Sequence, residues 1–316
     1  MSVTFSGGIT FTGGGFSFTA APPSTATAAW YAITTTQRVV FANDTATASV
    51  RGPMVLNAGN VGSVGTLTDG WWGGAPGAGS PSSATQRVTY ATDTATSTTK
   101  GNLSQARLGY AGVSDSTTYG WMAGGYTGGP GYLSNVDRIT YANDTATAST
   151  KGPLSLARYL LGSTSTTSYG WLAGGQAVGP APSNSRVDRI DYANDTATAS
   201  VRGPLGAGVE EMRGSGDTTY GWFAGGKGSP GDKVSTVNRI TYATDTATGV
   251  TRGPLSAAKY GASQAGDTTA GWVAGGTYPD FSTIERITYA TDTATATPRG
   301  PLATTAVRQA ANAGQY

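Results

Sequence analysis

Apolar and polar residues alternate along the chain in short runs, and Gly, Pro, Asn and Asp separate one run from the next. Within residues 151–202, residues 154–162 are apolar and small, and residues 169–175 form a second apolar run that ends in Gly-Gly. Residues 187–192 alternate between apolar and polar positions, and residues 196–201 are rich in Thr. Alternation bounded by turn residues predicts β-strands, while abundant Gly and Thr disfavour helix. This unit therefore predicts four short strands.

One phrase, Arg-x-x-aromatic-Ala-(Asn/Thr)-Asp-Thr-Ala-Thr, occurs once in each of six such units. Its aspartates are Asp44, Asp93, Asp144, Asp195, Asp245 and Asp292, at intervals of 49, 51, 51, 50 and 47 residues. A repeat of this length is one supersecondary unit that cannot bury its apolar face alone, so the units must stack. Four strands per repeat are typical of the blades of a β-propeller. The sequence predicts one propeller domain over residues 26–316.

The two ends of the chain predict how the ring closes. The chain enters the repeat at the strand that contains Trp30, which matches the second strand of the later units. Residues 302–314 match the first strand that this opening unit lacks. We expect the C-terminal segment to pair with the N-terminal strands, which removes two free sheet edges. The predicted fold is an all-β, six-bladed propeller with four strands per blade.

A tryptophan occupies the second strand of every unit. These residues are Trp30, Trp71, Trp121, Trp171, Trp222 and Trp272. Six indoles could stack on a ligand, but wedging between neighbouring blades is the simpler interpretation because it buries a large aromatic area. The repeated aspartates could form a carboxylate ring for cations, although turn chemistry accounts for them more simply. We expect the repeated arginines to pair with nearby carboxylates or carbonyls.

The composition limits the chemistry that the chain can perform. Its 316 residues include neither cysteine nor histidine, which excludes disulfides, thiol chemistry, zinc sites and His-based acid–base catalysis. The net charge is +2, and 12 of the 20 Lys and Arg residues lie at fixed positions of the repeat rather than in a basic patch. This distribution argues against nucleic-acid binding. The sequence contains no phosphate-loop or dinucleotide motif, so we expect no cofactor.

The sequence also predicts no membrane insertion and no secretory signal. No stretch approaches the roughly 18 apolar residues that a membrane helix needs. Residues 1–37 contain no Lys or Arg, whereas a signal peptide opens with a positively charged region. We therefore expect synthesis in the cytoplasm without a signal peptide.

The order of strands and turns resembles the kelch repeat. Residues 224–226 (Ala-Gly-Gly) and 242–246 (Tyr-Ala-Thr-Asp-Thr) match its strand ending in Gly-Gly and its tyrosine-bearing strand with an acidic turn. The resemblance covers roughly residues 26–316 and departs at one position, because kelch blades usually carry tryptophan in the fourth strand. The Gly-, Thr- and Ala-rich, histidine-free repeat is also similar to kelch-like virion proteins of cyanobacterial and other marine bacteriophages. This second resemblance implies other virion structural proteins as partners.

Residues 1–25 lie outside the repeat and carry apolar residues that alternate with Ser and Thr between glycine clusters. These apolar residues are Val3, Phe5, Ile9, Phe11, Phe16 and Phe18. An uncharged aromatic segment needs a partner that buries it. We interpret the segment as an assembly anchor that adds strands to a partner's sheet. Packing against the propeller's own flank and a disordered tail remain open alternatives.

The loops between the second and third strands differ from unit to unit, whereas the turns of the repeated phrase are nearly identical. These loops span residues 75–86, 126–137, 176–188, 227–238 and 277–285. Variable loops on a uniform framework are typical of a binding surface. Tyr126, Tyr132, Tyr278 and Phe281 are the candidate contacts, suited to stacking on sugars or packing on protein.

These features favour a non-enzymatic structural or binding protein located in the virion, in a tail or fibre that contacts a host glycan or protein. A capsid decoration protein is the alternative, and a polysaccharide-active enzyme is a third. Hydrolases need paired carboxylates facing one cleft. Glu210 and Glu211 are adjacent in sequence, and we expect neighbouring residues of a strand to point to opposite faces. The sequence therefore predicts no enzymatic activity.

Overall fold

A computed structural model describes residues 9–12, 15–18, 26–74, 80–129, 131–178, 183–277, 281–305 and 308–313. Its strands are β1 (Ile9–Thr12), β2 (Gly15–Phe18), β3 (Ala28–Ala32), β4 (Thr35–Val40), β5 (Ser49–Pro53), β6 (Ser63–Gly65), β7 (Asp69–Gly73), β8 (Thr85–Thr89), β9 (Thr98–Lys100), β10 (Ala111–Ser114), β11 (Tyr119–Ala123), β12 (Val136–Thr140), β13 (Ser149–Lys151), β14 (Gly162–Ser165), β15 (Tyr169–Ala173), β16 (Val187–Asp191), β17 (Ser200–Arg202), β18 (Val209–Glu210), β19 (Arg213–Gly216), β20 (Tyr220–Ala224), β21 (Lys227–Gly228), β22 (Val237–Thr241), β23 (Val250–Arg252), β24 (Ser263–Gly266), β25 (Ala270–Ala274), β26 (Ile284–Thr288), β27 (Thr297–Pro298) and β28 (Ala310–Asn312). A 3₁₀ turn follows the third strand of each repeat, at Phe41–Asn43, Tyr90–Thr92, Tyr141–Asn143, Tyr192–Asn194, Tyr242–Thr244 and Tyr289–Thr291.

The repeats form six antiparallel sheets of four strands each within the described residues, which confirms the predicted propeller. In ring order, blade 1 is β28-β3-β4-β5, blade 2 is β6 to β9, blade 3 is β10 to β13, blade 4 is β14 to β17, blade 5 is β19-β20-β22-β23 and blade 6 is β24 to β27. The first strand of every blade lines a central shaft. In the described part of the chain, no helix has the length and apolarity needed to cross a membrane.

The first strands lie later in the sequence than the apolar pattern predicts. In blade 4 the first strand is Gly162–Ser165, and residues 154–161 form the link from the preceding blade. Leu154 and Leu161 are buried in the core because this link crosses the blade edge, which explains its apolar character. Small polar residues instead form the shaft strand, where the six blades converge.

The ends of the chain close the ring as the sequence predicts. Strand β28 pairs antiparallel with β3, so that Ala310 lies opposite Ala32 and Asn312 lies opposite Trp30. The C-terminal strand therefore supplies the first strand of blade 1. Two unpaired sheet edges are removed by this pairing.

Each tryptophan wedges between its own blade and the next, as the sequence predicts. Trp30 of blade 1 stacks on Tyr90 of blade 2 with ring centroids 3.7 Å apart, and its Nε1 donates a 2.8 Å hydrogen bond to Asp93 Oδ2. The same carboxylate accepts a hydrogen bond from Arg38 Nη1 at 3.3 Å and lies 3.5 Å from Arg51 Nε. This arrangement repeats around the ring, and we call it the interblade latch.

The latch corrects the interpretation of the repeated aspartates as turn residues. Their backbone does follow the 3₁₀ turn, but the side chains are buried and face the preceding blade. The six indole-to-carboxylate hydrogen bonds, each 2.8 Å long, are Trp30–Asp93, Trp71–Asp144, Trp121–Asp195, Trp171–Asp245, Trp222–Asp292 and Trp272–Asp44. The repeated phrase is therefore an interface motif, and the expected pairing of its arginines with carboxylates is confirmed.

The position that follows the fourth strand requires glycine for steric reasons. Gly152 donates its backbone N–H to the Asp195 carbonyl of the next blade at 2.8 Å. A Cβ atom at Gly152 would lie 2.0 Å from the Ala197 carbonyl oxygen, which no side chain tolerates. Glycine at this position therefore permits the close approach of adjacent blades.

The N-terminal segment contains a two-stranded sheet. Strands β1 and β2 are antiparallel, and their register pairs Ile9 with Phe18 and Phe11 with Phe16. Each strand has four residues and pairs with the other over its full length. Val3 and Phe5 lie outside the described residues. The anchor role and the boundary between residues 25 and 26 stay predictions.

Candidate functional site

The shaft opens on the rim that carries the variable loops, and six residues surround this opening. One comes from the link before each first strand: Asn60, Gly109, Leu160, Glu211, Gly261 and Arg308. Each donates its N–H to the carbonyl of the preceding member, and Asn60 donates to Arg308, over 2.5 to 3.2 Å, so that the hydrogen bonds form a closed circle. We call this circle the mouth ring.

All six members of the mouth ring have left-handed backbone conformations, with φ between 52° and 65°. Only two of them are glycines, although this conformation costs other residues about 1–2 kcal/mol. The four others are Asn60, Leu160, Glu211 and Arg308. Non-glycine residues in this region cluster at functional sites. The ring thus holds side chains at the shaft mouth in fixed directions.

Three tyrosines form a cluster beside the mouth ring. Tyr126 and Tyr132, both predicted from the sequence, lie in the same loop with ring centroids 5.6 Å apart. Tyr159, which immediately precedes the ring member Leu160, lies 5.2 Å from Tyr126 and 5.3 Å from Tyr132. Tyr126 and Tyr132 remain partly exposed, so the cluster presents aromatic surface to solvent. Tyr159 could not be predicted as a contact residue from the sequence, because it lies in an interblade link and not in a variable loop.

Two buried ion pairs hold this cluster from below. Arg158, next to Tyr159, places Nη2 2.7 Å from Asp188 Oδ2, and both side chains are fully buried. Arg107 and Asp137 form an equivalent pair at 3.0 Å in blade 3. The Arg107 segment also pairs with the loop, because the Leu108 and Tyr126 backbones form a bridge. The tyrosines therefore stand on a rigid support.

Charged side chains lie beside the tyrosine cluster at the mouth and extend to blade 5. Arg308 forms a bidentate pair with Glu211, with Nε to Oε2 at 2.9 Å and Nη2 to Oε1 at 3.0 Å. Lys227 Nζ lies 3.7 Å from Glu210 Oε1 and 4.0 Å from Glu211 Oε1, and 5.0 Å from the Tyr260 ring centroid. The expectation that Glu210 and Glu211 face opposite ways is wrong, because the left-handed φ of 55° at Glu211 breaks the strand alternation.

Burial and hydrogen bonding shift the pKa values of Tyr159, Glu210 and Arg308 at the mouth. Burial raises the pKa of the Tyr159 hydroxyl to about 12, and the neighbouring Tyr132 and Glu210 add to the rise. It also raises the pKa of the Glu210 carboxyl, while Lys227 opposes that rise. The hydrogen bond to Glu211 raises the pKa of Arg308. At neutral pH the Tyr159 hydroxyl is therefore protonated and can donate a hydrogen bond beside the Arg308–Glu211 pair.

The structure separates the other predicted contacts from this cluster. Phe281 packs over Lys259, whose Nζ lies 4.7 Å from the ring centroid and 2.9 Å from Glu285 Oε2. Lys259 and Glu285 are almost fully buried, so Phe281 covers an ion pair instead of joining the tyrosines. Tyr278 lies outside the described residues. No group of three or more acidic residues that could hold a metal occurs in the described ranges.

Comparisons with known proteins support the fold. No family model and no curated protein matches the sequence. A solved structure of YjhT aligns with a TM-score of 0.67 over 88% of this chain and 98% of that chain, at 10% sequence identity. At this identity the likeness shows the fold alone. The chain is thus a six-bladed β-propeller with a tyrosine-lined, charged mouth at one end of its shaft.

Proposed function

We propose that the protein is a non-enzymatic binding protein that contacts its partner through the shaft mouth. The observation that carries this proposal is the partly exposed cluster of Tyr126, Tyr132 and Tyr159 on a rigid support. Tyrosines supply large, stiff contact surfaces with a polar end. Diversified loops beside a uniform framework favour recognition over a purely structural role.

A glycan on a host surface is the partner class that this chemistry fits best. Sugar rings present apolar faces that stack on aromatic side chains and hydroxyls that need hydrogen-bond partners. The tyrosine cluster offers aromatic faces for stacking, and the partly exposed Lys227 and Arg308 beside it offer hydrogen-bond donors for the hydroxyls. A protein surface is the alternative partner, since tyrosine is also enriched in protein interfaces.

A glycan array with the purified protein tests the proposal. The variant Tyr126→Ala/Tyr132→Ala should lose at least ten-fold in affinity while the propeller stays folded. The matched control is Tyr220→Ala, which removes a tyrosine that packs on Trp222 at the opposite rim. Equal binding by the double variant and the wild type would contradict the proposal.

The particle that carries this protein is a second part of the proposal. The repeat phrase and histidine-free composition resemble those of kelch-like phage virion proteins, which supports a tail or fibre location. A capsid decoration protein, held through residues 1–25, is the alternative. Immunogold electron microscopy with antibody against residues 26–316 separates them: label on tails supports host contact, label on heads supports decoration, and unlabelled particles contradict both.

A polysaccharide-active enzyme is the second candidate function, because both Glu210 and Glu211 approach Lys227 at the mouth. The raised pKa of the Glu210 carboxyl suits a general acid. Release of reducing ends from envelope polysaccharide, lost in Glu210→Gln, would favour the enzyme. Binding without release supports the proposed function.

A further inference from the structure

The central shaft is narrow and lined mainly by small side chains. Its walls are the first strands of all six blades, and its cavity volume is about 80 Å³. Only a small ligand fits such a space. The lining of the shaft is therefore the place where one larger polar side chain changes what can bind.

Arg213 is the one charged residue among the described residues that line the shaft. It stands two positions after the mouth-ring member Glu211, at the start of β19. The equivalent positions of the other five blades hold small residues: Gly62, Ala111, Gly162, Ser263 and Ala310. Arg213 is therefore the one long, charged side chain at a shaft position that holds a small residue in the other five blades.

Arg213 has no carboxylate within 4.0 Å in the described part of the chain. Its Nη1 donates to the Met212 carbonyl at 3.0 Å. Glu211, the nearest acidic residue in sequence, accepts hydrogen bonds from Nε and Nη2 of Arg308. The arginines of the interblade latch, in contrast, each lie within 3.5 Å of an aspartate.

Arg213 is partly buried, and a guanidinium that loses part of its hydration without gaining a counter-ion is destabilised. Burial lowers the pKa of Arg213, and Glu211 opposes that effect only in part. Among the described residues, the ion pairs beside Arg213 join two cations, Lys227 and Arg308, to two carboxylates, Glu210 and Glu211, and Arg213 is a third cation. One positive charge therefore remains in excess at the shaft entrance.

We propose that the shaft mouth binds a small oxyanion on Arg213. Planar guanidinium groups match the geometry of phosphate and carboxylate through paired hydrogen bonds. The narrow shaft selects an inorganic oxyanion or a terminal carboxylate over a larger group. This site is independent of the tyrosine cluster, so either can fail without the other.

Titration with sodium phosphate, followed by isothermal calorimetry and by the melting temperature in an oxyanion-free buffer, tests the site. Phosphate should bind with a stoichiometry of one and raise the melting temperature of the wild type. Arg213→Gln should weaken binding at least ten-fold. The control Arg186→Gln alters a loop arginine outside the shaft lining and should bind as the wild type does.

Parallel titrations with sulfate and acetate distinguish an inorganic oxyanion from a carboxylate, and binding of either one supports the site. Without oxyanion, Arg213→Gln should be at least as stable as the wild type, whereas a merely structural arginine would destabilise the fold when removed. If Arg213→Gln does not fold, Arg213→Lys should bind phosphate more weakly. Equal phosphate binding by the wild type and the folded variant, or no oxyanion binding by the wild type, overturns the proposal.

Discussion

The indole Nε1 of Trp272 donates a 2.8 Å hydrogen bond to Oδ2 of Asp44, although 228 residues separate them in sequence. This bond joins blade 6 to blade 1 with the same geometry that joins the other neighbouring blades. The Trp272 ring also stacks on Phe41 at 4.0 Å. The ring of blades is therefore closed by the latch as well as by the C-terminal strand.

Removal of a latch carboxylate should destabilise the whole propeller. Asp44→Ala leaves the indole N–H of Trp272 and the guanidinium groups of Arg286 and Arg299 without their partner. Loss of one member of a buried ion pair costs about 3–5 kcal/mol, and the partial exposure of Arg286 favours the lower end. Urea unfolding gives the free-energy change, and the exposed Asp232→Ala is the control, with an expected change below about 0.5 kcal/mol. Equal stability of the two variants would show that the latch is not a main source of stability.

The glycine after each fourth strand should not accept a side chain. Gly152→Ala places Cβ against the Ala197 carbonyl, so the blades must separate, at a cost of about 1–3 kcal/mol. Gly206→Ala is the matched control, because its nearest neighbour would lie 3.5 Å from the new Cβ. Thermal unfolding compares the two. A Gly152 variant as stable as the control would mean that the interblade contact is loose.

Deletion of residues 303–316 should lower the stability of all six blades together. It removes β28, and with it the hydrogen bond from Gln309 to the Ala274 carbonyl and the Arg308–Glu211 pair. Blade 1 then exposes the edge of β3. Circular dichroism should show one cooperative transition at a lower temperature, while deletion of residues 314–316 alone, which leaves β28, should have little effect. An unchanged melting temperature after the longer deletion would contradict closure by this strand.

Stability should fall at alkaline pH. The pKa of Tyr159 is about 12 in the folded protein, whereas an exposed tyrosine, as in the unfolded chain, has a pKa of 10.0. As the pH rises from 10 toward 12, the unfolded chain loses this proton first, so unfolding becomes more favourable. The latch tyrosines Tyr90, Tyr192 and Tyr289 add to the effect, because burial raises the pKa of each. Urea unfolding across this range should show a decrease that is smaller in Tyr159→Phe, and a pH-independent stability would contradict these environments.

The fold could be predicted because its signals are periodic. The fifty-residue spacing of the aspartates and the tryptophan in each second strand define the blades, and the matching chain ends define closure. The latch could not be read in the same way, because Trp30 and Asp93 are 63 residues apart and their contact depends on how blades pack. The apolar run at residues 154–162 predicts a strand, because the buried leucines of the link at residues 154–161 resemble strand residues.

The mouth ring could not be predicted from the sequence, and the reason is different. Its members lie 16 residues after each repeated aspartate, but they share a backbone conformation and not a residue type. Without that conformation in view, Glu210 and Glu211 are expected on opposite faces, and Tyr159 has no visible link to Tyr126. The candidate site thus depends on φ angles that the residue pattern does not encode.

Hydrogen–deuterium exchange with and without the glycan that binds most strongly on the array tests the central claim most directly. The account predicts slower exchange in residues 126–132, 159–160 and 209–211, which form the shaft mouth, and unchanged exchange at the opposite rim. Protection confined to residues 115–118 and 166–168 of that opposite rim, with the mouth unaffected, would contradict the claim that the protein binds through its shaft mouth.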